Sequence, residues 1–344
     1  MRVTWLCLEW PRTDRHAGGV GRYVERLAEQ MRHLVDLRVV AFEGARPLAG
    51  VAFDLVKPAT SRLDRYYAAP WRASRAVRIG RPDLIHVHGD DVWLPRAVPV
   101  VRTFYGSAWS EAVSSTGLRR LNHVALALVE ELSAHRADVR LGLSPESAAR
   151  FRCHEIVPPY FAGEGPAGAA HEPSQEPTVA FIGSFEGRKQ GRLVQEAVDA
   201  LRRSSDVRLV VVGPSEDRGN WASWVDHRSG LSDAEVHAVL ASAWVLAAPS
   251  SYEGFGIPVL EAFEHGLRVV AFRNPGTEYL AQRGPARLPL LLTDRAAFGA
   301  ALAGSLLSPD LTPQELSAAR RLVHDVAEDG SAARLRTIYE GILA

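Results

Sequence analysis

The chain has too few cysteines and no long apolar run, which excludes several classes of protein. Its 344 residues include two cysteines, Cys7 and Cys153, too few for a disulfide framework or a cysteine-based zinc site. We expect both to be buried, reduced thiols. No apolar run approaches the roughly 20 residues that span a bilayer. The first segment, MRVTWLCLEW, reaches Glu9 too soon for a secretory signal. These features together predict a cytoplasmic protein.

The chain also lacks a net charge, but the two halves differ. Residues 1–165 carry 23 basic and 18 acidic side chains, and the remainder carries 17 and 22. A general nucleic-acid-binding protein would present one strongly basic surface, so this distribution argues against a nucleic-acid partner. Lysine is rare: Lys57 and Lys189 are the two lysines among 40 basic residues.

Two ligand-binding motifs are missing as well. The chain contains no Asp-x-Asp motif for a metal-bound diphosphate. The glycine-rich segment His16 to Arg22 is not a G-x-G-x-x-G fingerprint, and the acidic residue expected farther along is also missing, which argues against a nicotinamide oxidoreductase.

The first half alternates between short apolar runs and segments with helical periodicity. Helical spacing places Val20, Val24, Leu27, Met31 and Leu34 on one face. Strands separated by helices indicate a parallel sheet covered on both faces. The predicted strands are Val3–Leu8, Leu37–Phe42, Leu84–Val87, Val98–Thr103 and Val139–Leu143, and the predicted helices are Val20–Val35 and Leu118–Ser133.

A second α/β unit follows a segment rich in Gly, Pro and small residues. We interpret residues 163–177 as a linker, residues 1–162 as the first domain and residues 178–344 as the second, with the last helix able to pack back on the first. A cleft between two such units is the expected ligand site. The predicted elements are strands Thr178–Ile182, Val207–Val212, Val245–Ala248 and Arg268–Phe272, helices Arg192–Leu201, Ser232–Ser242 and Pro258–Gly266, and several helices after Asp294.

The strongest local motif is S-S-Y-E-G-F-G-I-P-V-L-E-A, at residues 250–262. It follows a strand and opens a helix at Pro258, a residue favoured at the first helical position. The backbone N–H groups of Phe255, Gly256 and Ile257 would then lie at a helix N-terminus, which attracts anions. Two carboxylates beside a phosphate site suggest recognition of sugar hydroxyls. The alternative is an ordinary strand–loop–helix connection with solvated glutamates.

The spacing E-G-F-G-x-P-x-x-E resembles the donor-site motif of retaining glycosyltransferases of family four. This resemblance implies an α/β protein of the GT-B fold, with two Rossmann-like domains facing each other across a cleft. It implies that Glu253 contacts the transferred sugar and Glu261 the nucleotide ribose. It also implies a donor-binding role for Gly254 and its neighbours Phe255, Gly256 and Ile257.

A second motif, F-I-G-S-F-E-G-R-K-Q, places two adjacent cations before a helix. A planar Arg188 fork and a Lys189 point charge suit a diphosphate. The family has a basic loop here, and one branch resembles it as G-T-L-E-P-R-K-N. The resemblance implies that Gly183 and Ser184 also line the donor site, although many members have arginine where this chain has Ser184. A solvated basic turn is the alternative.

Weaker features extend the resemblance. A glycine pair, Gly18 and Gly19, corresponds to one that faces the donor diphosphate in the family; a plain tight turn is an equal alternative. Arg228 and Leu231 lie in a segment that lines the nucleobase pocket in the family. Asn274, Gly276 and Glu278 match a family loop without a firm role.

The segment V-R-T-F-Y-G resembles the family's T-x-H-G/D strand end, with Tyr105 at the position of a histidine often near the reacting sugar. We place Tyr105 and His88 on the acceptor side, with a buried core tyrosine as the alternative. His86 and His88 point to the same side of their strand, but no third ligand follows to complete a metal site. Residues 62–81 hold six arginines and three aromatics, which suits either a solvated surface or peripheral association with an anionic membrane.

The resemblance predicts a metal-independent, retaining hexosyl-type glycosyltransferase without a cofactor. Its partners would be a nucleotide-sugar donor and a hydroxyl-bearing acceptor, either a saccharide, a lipid-linked compound or a small molecule. The catalytic candidates are Glu253, Lys189 and Arg188. Two other functions stay open: a non-catalytic GT-B partner of another transferase, and a sugar-nucleotide epimerase.

Overall fold

The computed structural model describes most of the chain. The described residues are 1–14, 19–61, 64, 68–77, 80–89, 93–94, 97–105, 124, 127–128, 130–131, 134–160 and 171–344. Gly18 and most of the predicted helix Leu118–Ser133 therefore lie outside them.

The chain packs into two compact units, Met1–Ala162 with Glu328–Ala344, and Gly163–Ala327. The second unit thus ends at Ala327 rather than at Ala344, where the sequence-based range 178–344 places its end. The physical reason is the last helix, whose buried face includes Leu335 and Tyr339 and packs into the core of the first unit. The described part of the predicted linker, residues 171–177, is fixed to the second unit by bonds such as Ser174 N–H to Ser242 O at 2.9 Å.

In the described part of the first unit, seven strands form a parallel sheet, as the alternating pattern predicts. The strand order is β3-β2-β1-β4-β5-β6-β7, so the order reverses on either side of β1. The strands are β1 (Arg2–Leu6), β2 (Asp36–Phe42), β3 (Ala52–Val56), β4 (Leu84–Val87), β5 (Val100–Phe104), β6 (Val139–Gly142) and β7 (Glu155–Ile156), and the helices are α1 (Gly19–Met31), α2 (Ala69–Ala76), α3 (Pro145–Phe151) and α10 (Ala332–Leu343).

The second unit repeats this architecture with six parallel strands, in the order β10-β9-β8-β11-β12-β13. Its order reverses between β8 and β11, which pair directly. The strands are β8 (Thr178–Ile182), β9 (Arg208–Val212), β10 (Asp226–Arg228), β11 (Val245–Ala248), β12 (Arg268–Phe272) and β13 (Leu290–Thr293), and the helices are α4 (Gly191–Arg202), α5 (Asp233–Ser242), α6 (Ile257–Glu264), α7 (Pro275–Arg283), α8 (Phe298–Ser305) and α9 (Pro313–Asp329).

The two cysteines differ in burial. Cys7 is a buried free thiol in the core of the first unit, as expected, and burial raises its pKa. Cys153 is also free but only half-buried, because it follows α3 in a loop rather than lying in a strand. Burial raises the pKa of Cys153 to about 11. The expectation of full burial is therefore wrong for Cys153.

Candidate functional site

The topology of the second sheet brings two loops together. Strands β8 and β11 are parallel neighbours on either side of the point where the strand order reverses. In doubly wound sheets, ligands bind in the crevice outside the carboxyl ends of the strands at this point. The loops that leave these two ends, residues 183–190 and 249–256, contain the two strongest motifs of the sequence.

The first of these loops places two cations side by side in one short turn. After Gly183 the chain forms a 3₁₀ turn over Gly187–Lys189. A Cβ on Gly183 would come within 2.8 Å of the Lys189 Cβ, so glycine is what lets the lysine stem lie against the strand end. Hydrogen bonds from Ser251 N–H to Arg188 O (2.9 Å) and from Gln190 Nε2 to Pro249 O (2.6 Å) join this loop to the second loop.

The carboxylate of Glu253 lies between the two cations. Lys189 Nζ donates to Glu253 Oε1 at 2.5 Å, and Arg188 Nη1 lies 3.0 Å from Oε2. The side chains of Lys189 and Glu253 are 18% and 15% exposed, whereas that of Arg188 is 54% exposed. Screening by water therefore weakens the arginine contact more than the lysine contact. The three proposed catalytic side chains form a single charge cluster.

Two opposing effects act on the pKa of Glu253. Burial raises the pKa, because it disfavours the charged carboxylate. The positive charges of Lys189 and Arg188, together with hydrogen bonds from Lys189 and Ser250, lower it by more. The net result is a pKa below the usual value of a glutamate, so this side chain is an anion at neutral pH.

Two residues without an assigned role hold the backbone of the Glu253 loop. Gly276 N–H donates to Glu253 O at 3.0 Å, and a Cβ on Gly276 would lie 2.8 Å from that oxygen. The buried Asn274 caps α7 and donates from Nδ2 to Ser250 O at 3.0 Å. The sequence predicted neither α7 nor these contacts, although an Asn-Pro-Gly after a strand is a cap-and-helix signal that could have revealed the helix.

Helix α6 begins at Ile257, one residue before the Pro258 start that the motif predicts. Gly256 adopts φ +94°, a left-handed conformation that favours glycine, and forms the N-cap of α6, with Pro258 in the first turn. Phe255 is buried, with its ring 5.7 Å from that of Tyr279. Glu261 lies half-buried on the second turn of the helix.

Other predicted donor residues lie near the ends of neighbouring strands. Arg228 is the last residue of β10 and pairs with Asp226, whose Oδ2 lies 2.6 Å from its Nη2. Leu231 is half-buried just before α5. The Ser184 hydroxyl donates to Glu186 O at 2.9 Å, so it closes its own turn. In the first unit, Gly19 opens α1.

In the first unit, Tyr105 and His88 are brought together at the ends of adjacent strands. The Tyr105 hydroxyl hydrogen-bonds His88 Nδ1, and the buried His88 Nε2 has no partner among the described residues. Burial lowers the pKa of His88, with the neighbouring His86 adding to the effect, so its imidazole is neutral. Tyr105 is half-buried, and burial raises the pKa of its hydroxyl.

His86 has a structural role. Its Nδ1 lies 2.5 Å from the Tyr339 hydroxyl and its Nε2 lies 2.8 Å from Thr103 Oγ1. Both ring nitrogens are therefore occupied by protein partners.

Within the described residues, no three His, Cys, Asp or Glu side chains are grouped so that they could hold a metal ion. None of the described helices is long and apolar enough to cross a membrane.

Comparison with known families gives one match in each unit. Residues 17–159 match the model described as Glycosyltransferase Family 4. Residues 176–307 match the model described as Glycosyl transferases group 1. The second match contains both loops of the charge cluster.

One curated relative is the MMP alpha-(1->4)-mannosyltransferase of Mycolicibacterium hassiacum, 34% identical over 163 residues. The alignment covers 43% of this chain and 39% of that enzyme, so the chain spans about two fifths of the length of this relative.

Solved structures resemble nearly the whole chain. Sucrose-phosphate synthase from Thermosynechococcus elongatus has a TM-score of 0.79 at 18% identity, covering 99% of this chain and 98% of its own. Anabaena HepE, solved in complex with UDP-glucose, has a TM-score of 0.67 at 15% identity, with 99% and 98% coverage. Together with the two parallel sheets, these similarities confirm the predicted GT-B fold of two Rossmann-like units.

Proposed function

Because this chain belongs to glycosyltransferase family 4, we propose that it transfers a sugar from a nucleotide-sugar donor to a hydroxyl group of an acceptor. The observation that carries this proposal is the convergence of Lys189, Arg188 and Glu253 at the strand-order reversal of the second sheet. The cations suit a diphosphate, and the carboxylate suits sugar hydroxyls.

Lys189, Arg188 and the N-terminus of α6 stabilise the departing diphosphate. When the bond between the anomeric carbon and the diphosphate oxygen breaks, the electron pair goes to that oxygen and the sugar becomes oxocarbenium-like. Lys189, Arg188 and the N-terminal N–H groups of α6 stabilise the negative charge that develops. These groups are fixed by the fold before the donor arrives, so little reorganisation is needed.

The two glutamates bind hydroxyl groups. Glu253 accepts hydrogen bonds from the transferred sugar and orients it, while Glu261 accepts from the ribose. The new bond forms between the anomeric carbon and the acceptor oxygen, and the acceptor proton leaves with the diphosphate. Retention of the anomeric configuration follows from the family resemblance. Because the positive charges come from side chains, the transfer needs no metal ion.

We place the acceptor on the first unit, beside Tyr105 and His88. The Tyr105 hydroxyl, held by its hydrogen bond with His88 Nδ1, provides a polar atom for a hydroxyl group. A saccharide, a lipid-linked compound or a small molecule would supply it. The basic, aromatic segment 62–81 would hold the protein at an anionic membrane if the acceptor is lipid-linked.

Two substitutions test the proposal. Lys189→Ala and Glu253→Ala should each lower transfer by at least about 100-fold, because each removes a group that binds the transition state. Lys57→Ala is the matched control, since the exposed Lys57 is the other lysine of the chain. Transfer would be followed with UDP-glucose and GDP-mannose, since HepE was solved with UDP-glucose and the curated relative is a mannosyltransferase.

Product analysis separates the alternatives. Sugar transfer that persists in EDTA and needs the acceptor supports the proposal. Conversion of the donor sugar without an acceptor would indicate an epimerase. Binding without turnover would indicate a non-catalytic partner, and near-normal transfer by both alanine variants would show that the charge cluster is not the active site.

A further inference from the structure

On the basis of the proposed function, we infer that Glu253 is an internal counter-anion that makes the site select the intact nucleotide-sugar over the free nucleoside diphosphate. The carboxylate holds the position beside the two cations until a ligand arrives. A ligand that carries the transferred sugar compensates the displaced carboxylate with hydrogen bonds, and a free nucleoside diphosphate does not.

The contacts of the carboxylate establish its role as a counter-anion. Each Glu253 oxygen faces a different cation, Lys189 at 2.5 Å and Arg188 at 3.0 Å, and the Ser250 hydroxyl adds a hydrogen bond. The ligand-free cluster therefore carries one net positive charge instead of two. A diphosphate that binds both Lys189 and Arg188 must displace the Glu253 carboxylate or lie in contact with it.

The Glu253 carboxylate distinguishes a nucleotide-sugar from a free nucleoside diphosphate. A nucleotide-sugar brings hydroxyl groups that donate to Glu253, so the displaced anion regains hydrogen bonds. A nucleoside diphosphate brings further negative charge and lacks the hydroxyl groups of the transferred sugar, so the partly buried carboxylate is left beside a like charge. The diphosphate product is thus bound more weakly than the donor, which favours its release.

Only the side chain of Glu253 needs to move in this exchange. Gly276 N–H holds the Glu253 carbonyl oxygen at 3.0 Å, and Asn274 holds that of Ser250 at 3.0 Å. The Tyr252 carbonyl accepts from Arg188 at 3.0 Å. These bonds keep the loop in place, so a rotation of the carboxylate is the smallest movement that frees the cations.

Calorimetric titration of the full chain with UDP, GDP, UDP-glucose and GDP-mannose tests the inference. Glu253→Gln keeps the shape of the side chain and removes its charge. We expect this variant to bind the matching nucleoside diphosphate at least about tenfold more tightly than the wild type, because the competing anion is gone. The preference for the nucleotide-sugar should fall by at least the same factor.

Glu196→Gln is the charge-matched control. Glu196 is exposed on α4 of the same unit, so its substitution also removes one negative charge. Its affinities should stay within about twofold of the wild type. If Glu253→Gln binds the nucleoside diphosphate as weakly as the wild type or more weakly, the counter-anion role is wrong while the proposed function stands. If none of the four ligands binds the wild type, both are contradicted.

The scarcity of lysine makes a second, spectroscopic measurement possible. In protein labelled with ¹³C at the lysine ε-carbon, two resonances are expected, from Lys57 and Lys189. The Lys189 resonance should shift in Glu253→Gln without ligand and again in the wild type when the diphosphate binds, while Lys57 serves as an internal reference. An unchanged Lys189 resonance in both cases would overturn the inference.

Discussion

Glu253 links stability to pH at the scale of a single residue. Its pKa in the folded protein lies below the ordinary value of 4.5, so its ion pairs stabilise the fold fully above that value. This stabilisation is lost as the pH falls through the lower, folded value. The difference in melting temperature between wild type and Glu253→Gln should therefore be largest near neutral pH and shrink in acid.

Scanning calorimetry between pH 7 and pH 3.5 would measure this difference. Glu196→Gln, which removes an exposed carboxylate, should shift the melting temperature little at any pH. A gap between wild type and Glu253→Gln that widens as the pH falls would contradict the depressed pKa.

Local sequence singled out the charged groups that the structure brings together in the candidate site, but not all of the residues that support them. Arg188, Lys189 and Glu253 stood out because each lies in a strand–loop–helix segment with a recognisable motif. Asn274 and Gly276 act through contacts with residues more than 20 positions away, Ser250 and Glu253. Such contacts depend on which strands are neighbours, and one short motif does not carry that information.

Helix α7 supports the site at the scale of a secondary-structure element. Asn274 Oδ1 accepts from Thr277 N–H at 3.1 Å, while Nδ2 donates to Ser250 O at 3.0 Å. Asn274→Asp keeps the cap and replaces the donor with an acceptor. We expect the free energy of unfolding to fall by about 2 kcal/mol, because the buried Ser250 carbonyl then faces an oxygen. We also expect weaker nucleotide-sugar binding, because the Glu253 loop loses this hydrogen bond.

Thr312→Ala is the control for a cap that is not connected to the site. Thr312 Oγ1 accepts from Glu315 N–H at 3.3 Å at the start of α9. Its loss should cost about 1 kcal/mol and leave ligand binding unchanged. Equal effects of the two variants on binding would show that α7 does not position the loop.

Strands with a buried apolar run were predicted correctly, and edge strands were not. The predicted bounds of β4, β8, β11 and β12 agree with the structure, because both faces of these strands are covered and their residues are nearly all apolar. The short strands β3 and β10 each lie at an edge of a sheet and contain charged or half-buried residues. Their sequences carry no clear strand signal.

Helix α10 completes the first unit at the scale of the whole molecule. The Tyr339 hydroxyl accepts from Trp5 Nε1 at 3.1 Å and lies 2.5 Å from His86 Nδ1, and all three side chains are buried. Tyr339→Phe would leave two buried polar groups without partners. We expect it to lower the free energy of unfolding of this unit by about 3 kcal/mol.

Chemical denaturation would measure that loss. Tyr279→Phe is the matched control, because the Tyr279 hydroxyl accepts from the side chain of Arg283 at 3.0 Å in a half-buried position. It should cost less than about 1 kcal/mol. If Tyr339→Phe also lowers the free energy of unfolding by less than about 1 kcal/mol, the packing of α10 does not depend on the Tyr339 hydroxyl.

The alternating pattern was enough to predict two parallel α/β units and to allow the last helix to pack back on the first, but not the contacts that hold it there. Trp5 and Tyr339 are separated by 334 positions. Within the first unit, the buried Trp5 and His86 side chains both meet the Tyr339 hydroxyl of α10. Local periodicity cannot reveal such a match.

A crystal structure of the chain with an intact nucleotide-sugar tests the central claim most directly. The account predicts that the diphosphate lies against Arg188, Lys189 and the N-terminus of α6, with the Glu253 carboxylate turned from the cations to the sugar hydroxyls. A nucleotide-sugar bound elsewhere, with the contacts from Glu253 to Lys189 and Arg188 intact, would contradict it.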